Sequence, residues 1–232
     1  MDGSMTPAAS HDALTRSVED YLKAIYHLSE AGTPAATTDI AHLLELAPAS
    51  VTGMVKRLSE QGLLEHLPYK GVQLTPVGRR AALRMVRRHR VLESYLVAFL
   101  DYTWDAVHEE AERLEHAVSD ALIERMALAL GNPSVDPHGD PIPTPDGTMA
   151  ELVYTPLSEV PVGEVVELRR VETGHAERLR YFAAHGLVPG ATVRVTGRQP
   201  FGGPVAVRTD TGEQVLGHEL AALLLCGSKA SR

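Results

Sequence analysis

A single cysteine, Cys226, stands in 232 residues, so no intrachain disulfide framework is available. That usage fits a reducing compartment. Long apolar runs are missing too. The longest plain one, Leu220 to Cys226, is far too short to span a bilayer. The start, Met1-Asp2-Gly3-Ser4, has no basic stretch followed by an apolar one, so no signal peptide is expected. These absences predict a soluble, cytoplasmic protein of one large or two to three small domains. The chain also lacks an excess of positive charge. Its 22 basic and 30 acidic residues leave a net charge of −8, which on its face argues against nucleic acid.

The distribution of charge reverses that inference. From Lys56 to Arg90 there are nine basic residues against Glu60 and Glu65, a local +7. From Val91 to Tyr154 there are thirteen acids against Arg113 and Arg125, a local −11. A basic segment is the footprint of phosphate binding, and an acidic one can be the footprint of metal binding.

Within the acidic segment lies Val107-His108-Glu109-Glu110-Ala111-Glu112-Arg113-Leu114-Glu115-His116, inside a stretch whose periodicity predicts one helix from about Trp104 to Leu130. Residues three and four apart share a helix face, so His108, Glu112, Glu115 and His116 point much the same way. Upstream, His89 and Glu93 repeat the spacing. Imidazoles and carboxylates form a hard donor set suited to Mn(II), Fe(II) or Zn(II). The bland alternative is solvated charge with pairs such as Glu109–Arg113. Like charges at that spacing, with little intervening base, make a poor salt-bridge design unless a cation sits among them.

In chain order, residues 1–14 read as a loose tail. A helix follows, capped by Thr15 or Ser17 and running to about Glu30, with Val18, Leu22, Ile25 and Leu28 buried. Asp20 in its first turn reads on local grounds as a dipole-favoured acid. Two short helices meet at Leu46-Ala47-Pro48. The second buries Val51, Met54, Val55 and Leu58, and shows Ala49, Ser50, Thr52, Gly53 and Lys56 on its other face. These small or polar residues let a helix enter a major groove closely. Two strands around Pro68-Tyr69-Lys70-Gly71 complete a winged helix-turn-helix, and Thr75-Pro76 opens a long helix to about Leu100. Apolar residues on several faces of the long helices (Leu92, Leu96, Leu114, Leu122) predict self-association. Residues 132–160, rich in Pro, Gly and Asp, read as an extended linker. Beyond it come alternating strands near 163–171, 191–195, 205–208 and 213–216, a short helix from His175 to Ala184, and a closing segment Leu220 to Leu225. Together they suggest a small barrel.

This order resembles the diphtheria toxin repressor family of metal-dependent transcriptional regulators, and most of all its manganese-responsive members with a C-terminal SH3-like (FeoA-like) domain. The resemblance is carried by Val18 to Tyr26, Arg88 to Glu93, Val107 to His116, Pro137 to Pro143 and Val171 to His175. It implies a first metal site of Asp20, Glu112, Glu115 and His116. It implies a second of His89, Glu93, His108, Glu172 and His175, so two sites per subunit. Iron-type members carry Met and Cys where this chain has Asp20 and Glu112. Replacing soft sulfur by hard carboxylates favours Mn(II), with Fe(II) the alternative. Where compact manganese regulators have a further Glu, this chain has Lys23, so their bridged two-metal site is not carried over. Cys226 matches no ligand position and reads as a small buried residue.

The expectation is a mostly α chain with a small β domain. It comprises a winged helix-turn-helix over 1–75, a helical dimerisation and metal-binding domain with its Pro-rich tether over 76–148, and an SH3-like domain over 149–232. The implied protein is a homodimer that binds double-stranded operator DNA when metal-loaded and represses metal-uptake genes, with no membrane partner and no small-molecule substrate. Ser50, Thr52 and Gly53 would face bases; Lys56, Arg57 and the wing Lys70 would meet phosphates. It would not be an enzyme: a bundle-type metalloenzyme is the competing class, but no nucleophile or acid–base pair stands apart from the ligands. A regulator of the same fold sensing Zn(II) or an organic ligand is the other alternative.

Overall fold

The computed structural model describes residues 14–29 and 32–228. The expected tail lies outside them except for Leu14, as do Glu30 and Ala31 at the expected end of the first helix. Two compact units divide the chain, residues 1–85 and 86–232.

The first unit contains α1 (Arg16–Leu28), α2 (Thr37–Leu43), α3 (Pro48–Glu60), β1 (Leu64–Leu67), β2 (Gly71–Leu74) and the start of α4 (Pro76–Leu100). In α1 the buried stripe is wider than the spacing alone suggested, since Tyr21, Ala24 and Tyr26 join Val18, Leu22 and Ile25. Thr15 is its N-cap residue, without a side-chain capping bond. Pro48 opens α3, and Val51, Val55 and Leu58 are buried there; Met54, expected inside, is half-buried. The strands β1 and β2 pair antiparallel from Leu64–Leu74 to Leu67–Gly71. Ala35 exchanges two backbone hydrogen bonds with Val72, at 2.8 and 2.9 Å, and so ties the wing to the segment before α2. Thr75 caps α4 as expected: its Oγ1 accepts from the Gly78 N–H at 3.1 Å.

The second unit corrects two expectations. The single helix over 104–130 is two, α5 (Val107–Leu114) and α6 (Asp120–Ala129). The break has a local cause. Ser119 has extended backbone, and its hydroxyl accepts from the Leu122 N–H at 3.3 Å, starting a new helix. The second correction concerns residues 132–160, whose first half is no free tether. Val135 bridges Pro141, Asp136 and His138 are buried, and Ile142 enters the core formed by Val91, Leu92, Ala111, Ile123 and Ala127. The prolines stop helix and strand but leave the turn free to pack.

The remainder is β3 (Thr155–Pro156), β4 (Val165–Val171), α7 (Ala176–Ala184), β5 (Thr192–Arg198), β6 (Val205–Thr209), β7 (Gly212–Leu216), α8 (His218–Ala222) and β8 (Leu224–Ser228). They form an antiparallel six-stranded sheet in the order β3-β8-β4-β5-β6-β7. Leu168, Val193, Val195, Val207, Leu216 and Leu224 face one core that Leu179 and Phe182 of α7 complete. Cys226 is buried in it, as expected. The closing segment differs, because 218–222 is helical before β8 begins.

Candidate metal centre and nucleic-acid interface

His89 and Glu93 sit one turn apart on α4, and both are buried. His89 is the hub of the site. Its Nδ1 lies 2.6 Å from Glu115 Oε2. Its Nε2 lies 3.0 Å from Glu93 Oε1 and 3.0 Å from His108 Nδ1. His108 and Glu112 come from α5, one turn apart; Glu112 Oε1 is 3.9 Å from both His89 Nδ1 and His108 Nε2. Glu115 is fully buried, with its other oxygen 3.5 Å from His116 Nε2. Because α5 ends at Leu114, Glu115 and His116 belong to the turn after it. The helical geometry expected across this stretch carries on only this far: Glu115 keeps helical dihedrals (φ −57°, ψ −29°) as the C-cap residue.

The two ligand sets expected in this unit are therefore contiguous. His89, assigned to the second set, touches Glu115 of the first. His89 with Glu93 and His108, and His89 with Glu112 and Glu115, each offer donor atoms within 4.8 Å of one another. Donor atoms that each bind one divalent ion at roughly 2 Å lie within about 4 Å of one another.

A third group was not anticipated. Glu93, Asp136 and His138 meet the same distance criterion, and all three are buried. His138 Nδ1 lies 3.6 Å from Glu93 Oε2, while its Nε2 bonds the Trp104 carbonyl at 2.7 Å. Asp136 accepts from the backbone N–H of His138 at 2.8 Å and of Asp140 at 3.0 Å. Arg90 stands beside it, 3.7 Å from Asp136 and 3.5 Å from Asp140. The sequence signal was Asp136-x-His138-x-Asp140 inside a stretch read as linker; turn ligands have no periodicity to betray them.

Burial and charge set the protonation here. Burial alone would push Glu93 up, but hydrogen bonds from His108, His138 and His89 together hold it well below the usual carboxylate range. Asp136 is pushed up to about 7 by burial and by repulsion from Asp140 and Glu93, which outweigh His138 and Arg90. Burial opposes charge on His138, yet Glu93 and Asp136 raise it to about 9. A proton on His138 thus supplies positive charge beside Glu93 and Asp136, where a divalent ion would otherwise supply it. The cysteine thiol takes no part: burial raises it to about 12.

Glu172 and His175 fall in none of the three groups. Glu172 is exposed, 3.7 Å from Arg170, and its N–H is bonded to Leu223. His175 is the exposed N-cap residue of α7. Their loop does pass the cluster, since a Cβ built on Gly174 would lie 4.0 Å from His108 Nε2. Asp20 is half-buried on α1, in the first unit.

The expected DNA face is presented outward. Ala49, Ser50, Thr52, Gly53, Lys56, Arg57 and Lys70 are all exposed. The basic segment, however, is not all available to phosphate. Arg87 makes a two-pronged pair with Glu124 at 2.8 and 2.7 Å, Arg88 pairs with Asp120 at 2.8 Å, and Arg90 with Asp136 and Asp140. The charge count could not separate these cations from those of α3 and the wing.

Comparison with known proteins agrees with this arrangement. Residues 13–72 match the family model described as the iron dependent repressor N-terminal DNA binding domain, and residues 75–144 its metal binding and dimerisation domain. Residues 155–226 match the FeoA domain. The iron-dependent repressor IdeR of Mycobacterium leprae is 32% identical over 220 residues, covering 90% of this chain and 95% of that protein. The chain belongs to the iron-dependent repressor family. This repressor also matches solved structures over its length. A manganese-dependent transcriptional repressor in complex with manganese superposes with a TM-score of 0.83 at 39% identity, covering 91% of this chain and all of that one. The manganese regulator SloR gives 0.75 at 34%, covering 93% and 100%. The family consists of metal-dependent transcriptional repressors with a DNA-binding and a dimerisation domain, and the buried donor clusters and outward-facing α3 are the parts such a protein needs.

Proposed function

We propose that this repressor responds to Mn(II), with Fe(II) the competing effector, and binds operator DNA as a homodimer when loaded. The observation that carries the reading is the buried cluster centred on His89, built from imidazoles and carboxylates without sulfur. Hard donors suit Mn(II) better than softer ions, although affinity order alone favours Fe(II) and Zn(II), so cellular supply also decides. The names of the similar manganese-dependent structures and of the iron-dependent relatives support the two metals in turn.

Asp20 would complete a first site with Glu112, Glu115 and His116, as the resemblance implies. A second would use His89, Glu93 and His108, with Glu172 and His175 supplied by the loop beside His108. Asp136 and His138 offer Glu93 a further set. A bound divalent ion supplies the charge that lets these carboxylates sit together. The protein's part is to present Asp20 from the DNA-binding domain and Glu112, Glu115 and His116 from the dimerisation domain, so that ion binding favours one placement of α3 in each half of the dimer. In that placement Ala49, Ser50, Thr52 and Gly53 would face base edges, while Lys56, Arg57 and Lys70 neutralise phosphate. The genes controlled would be those of metal uptake.

The test is binding of chelator-stripped protein to its own upstream DNA, titrated with Mn(II), Fe(II) and Zn(II), beside Asp20→Ala and Glu172→Ala. Metal-dependent binding that is lost in Asp20→Ala and weakened in Glu172→Ala is the expected result. Binding indifferent to metal in every variant would sink the switch.

A further inference from the structure

A cavity in the first unit is lined by groups that neither the metal centre nor the DNA face uses. It holds about 180 Å³ and lies among the end of α1, the turn before α2, the wing strand β2 and the start of α4. Tyr26 comes from α1, and Ser29 is that helix's C-cap residue. Pro34 comes from the turn, Gln73 and Leu74 from β2, and Arg79 from α4.

Two of these groups are under-partnered. The Ser29 hydroxyl oxygen is buried and has no hydrogen-bond partner among the described residues. Buried polar atoms are seldom left so. Arg79 has its guanidinium carbon 5.3 Å from the centre of the Tyr26 ring. That ring, 2% exposed, gives the cation a fixed seat. Farther along α4, Arg87 and Arg88 are each held by an acid, but among the described residues none pairs with Arg79. The Gln73 amide nitrogen donates to Glu65 at 2.9 Å, which leaves its amide oxygen as an acceptor.

We propose that this cavity binds a small organic carboxylate. The described residues lining it include one cation and no acid, which calls for a monoanion. A guanidinium offers a carboxylate two parallel N–H groups. The Ser29 hydroxyl is a further donor. A water in the cavity would satisfy the serine and leave the guanidinium without a counter-charge. Pro34, Leu74 and the Tyr26 ring supply apolar wall for a carbon body, and a hydroxyl on that body would donate to the Gln73 oxygen. A cavity of about 150 Å³ takes benzene, so a carboxylate of roughly six to ten heavy atoms fits here.

The position of the cavity gives its occupancy a consequence. Ala35 and Val72 already tie β2 to the segment before α2. The start of α4 is pressed against the wing, since a Cβ on Gly78 would lie 2.0 Å from the Leu63 carbonyl oxygen. A ligand held by Ser29, Gln73 and Arg79 staples the base of the wing to α1, the helix that carries Asp20. Local opening of β2 then becomes rarer, and its amides exchange more slowly.

The test uses full-length, chelator-stripped protein, so that no metal ion competes for the probe. Benzoate is the probe and chloride the control anion at the same ionic strength. Calorimetric titration should give a dissociation constant of about 1 mM, the strength expected of a nine-atom ligand. Arg79→Gln should bind about tenfold more weakly or worse, the scale of a hydrogen bond to a charged group. Ser29→Ala should lose about threefold. Arg79→Lys keeps the charge without the fork and should fall between wild type and Arg79→Gln. Arg80→Gln removes the next exposed cation, which does not line the cavity, and should bind as wild type does. In wild type alone, benzoate should slow amide exchange at residues 26–29 and 72–74. Thermal unfolding separates a lost site from a lost fold: without benzoate, Arg79→Gln should melt with wild type, and with it only wild type should gain. No saturable binding well above the expected constant overturns the proposal. So does equal binding by Arg79→Gln, or protection confined to other parts of the chain.

Discussion

His89 touches Glu115 through one ring nitrogen and Glu93 and His108 through the other, so a single imidazole belongs to two donor groups. His89→Gln should lower Mn(II) affinity at both together, and the ions retained after dialysis should fall by more than one per chain. His116→Ala, at the edge of the cluster, should remove only one. Elemental analysis beside calorimetric titration reads both results, and a His89 variant that loses a single ion would separate the groups. The helical part of this site was legible in the sequence because His89/Glu93 and His108/Glu112 share faces at i, i+4. Asp136 and His138 were not, since their place beside Glu93 depends on how a proline-rich turn packs, and no local rule encodes that. Charge counting misled in the same way. Arg87 and Arg88 were counted in the basic segment, yet Glu124 and Asp120 hold them.

Among the elements, the turn over 136–140 shows how little of a loop's role its composition reveals. Gly139 has φ +87°, and a Cβ there would lie 1.9 Å from the Arg169 carbonyl oxygen and 2.7 Å from the Arg170 Cα, both backbone atoms of β4. The Val171 N–H donates to the His138 carbonyl at 2.9 Å, and Arg170 pairs with Asp140 at 2.7 Å. The turn is clamped to the sheet, and only glycine permits that approach. Gly139→Ala must push the turn off β4 or distort it, which should cost about 2–4 kcal/mol in unfolding experiments. The same variant should weaken Mn(II) binding through the displaced His138, while the helical circular dichroism signal is retained. Helices α1 to α4 were legible to within a few residues because stripe, cap and proline agreed. The break between α5 and α6 was missed because Ala117-Val118 is no stop signal. The start signal, Ser119-Asp120, sat unread inside an apolar pattern that continues across the gap.

For the whole molecule, the segregated charge and the buried protons couple three equilibria: metal, DNA and pH. An effector that raises DNA affinity must have its own affinity raised by DNA in the same ratio. Protons enter with a definite sign. A metal ligand must be deprotonated to bind. In the metal-free protein His138 keeps its proton until about pH 9, and Asp136 keeps one until about pH 7. Glu93, held well below the usual range, has none to lose near neutrality. Loading the Glu93–Asp136–His138 group therefore displaces about one proton between pH 7 and 9 and about two below pH 7. Each displaced proton lowers apparent affinity by about tenfold per pH unit of acidification. The Mn(II) concentration giving half-maximal operator binding should thus rise about tenfold from pH 8 to 7, and more steeply from 7 to 6. Fluorescence anisotropy of a labelled operator at fixed ionic strength measures it, provided salt is held constant, because phosphate contacts make DNA affinity itself fall with salt. His138→Gln carries no titrating imidazole and should flatten the upper limb and cut the acid limb to a single proton, that of Asp136. A flat profile in the wild type would mean that this group stays empty while the repressor is switched on.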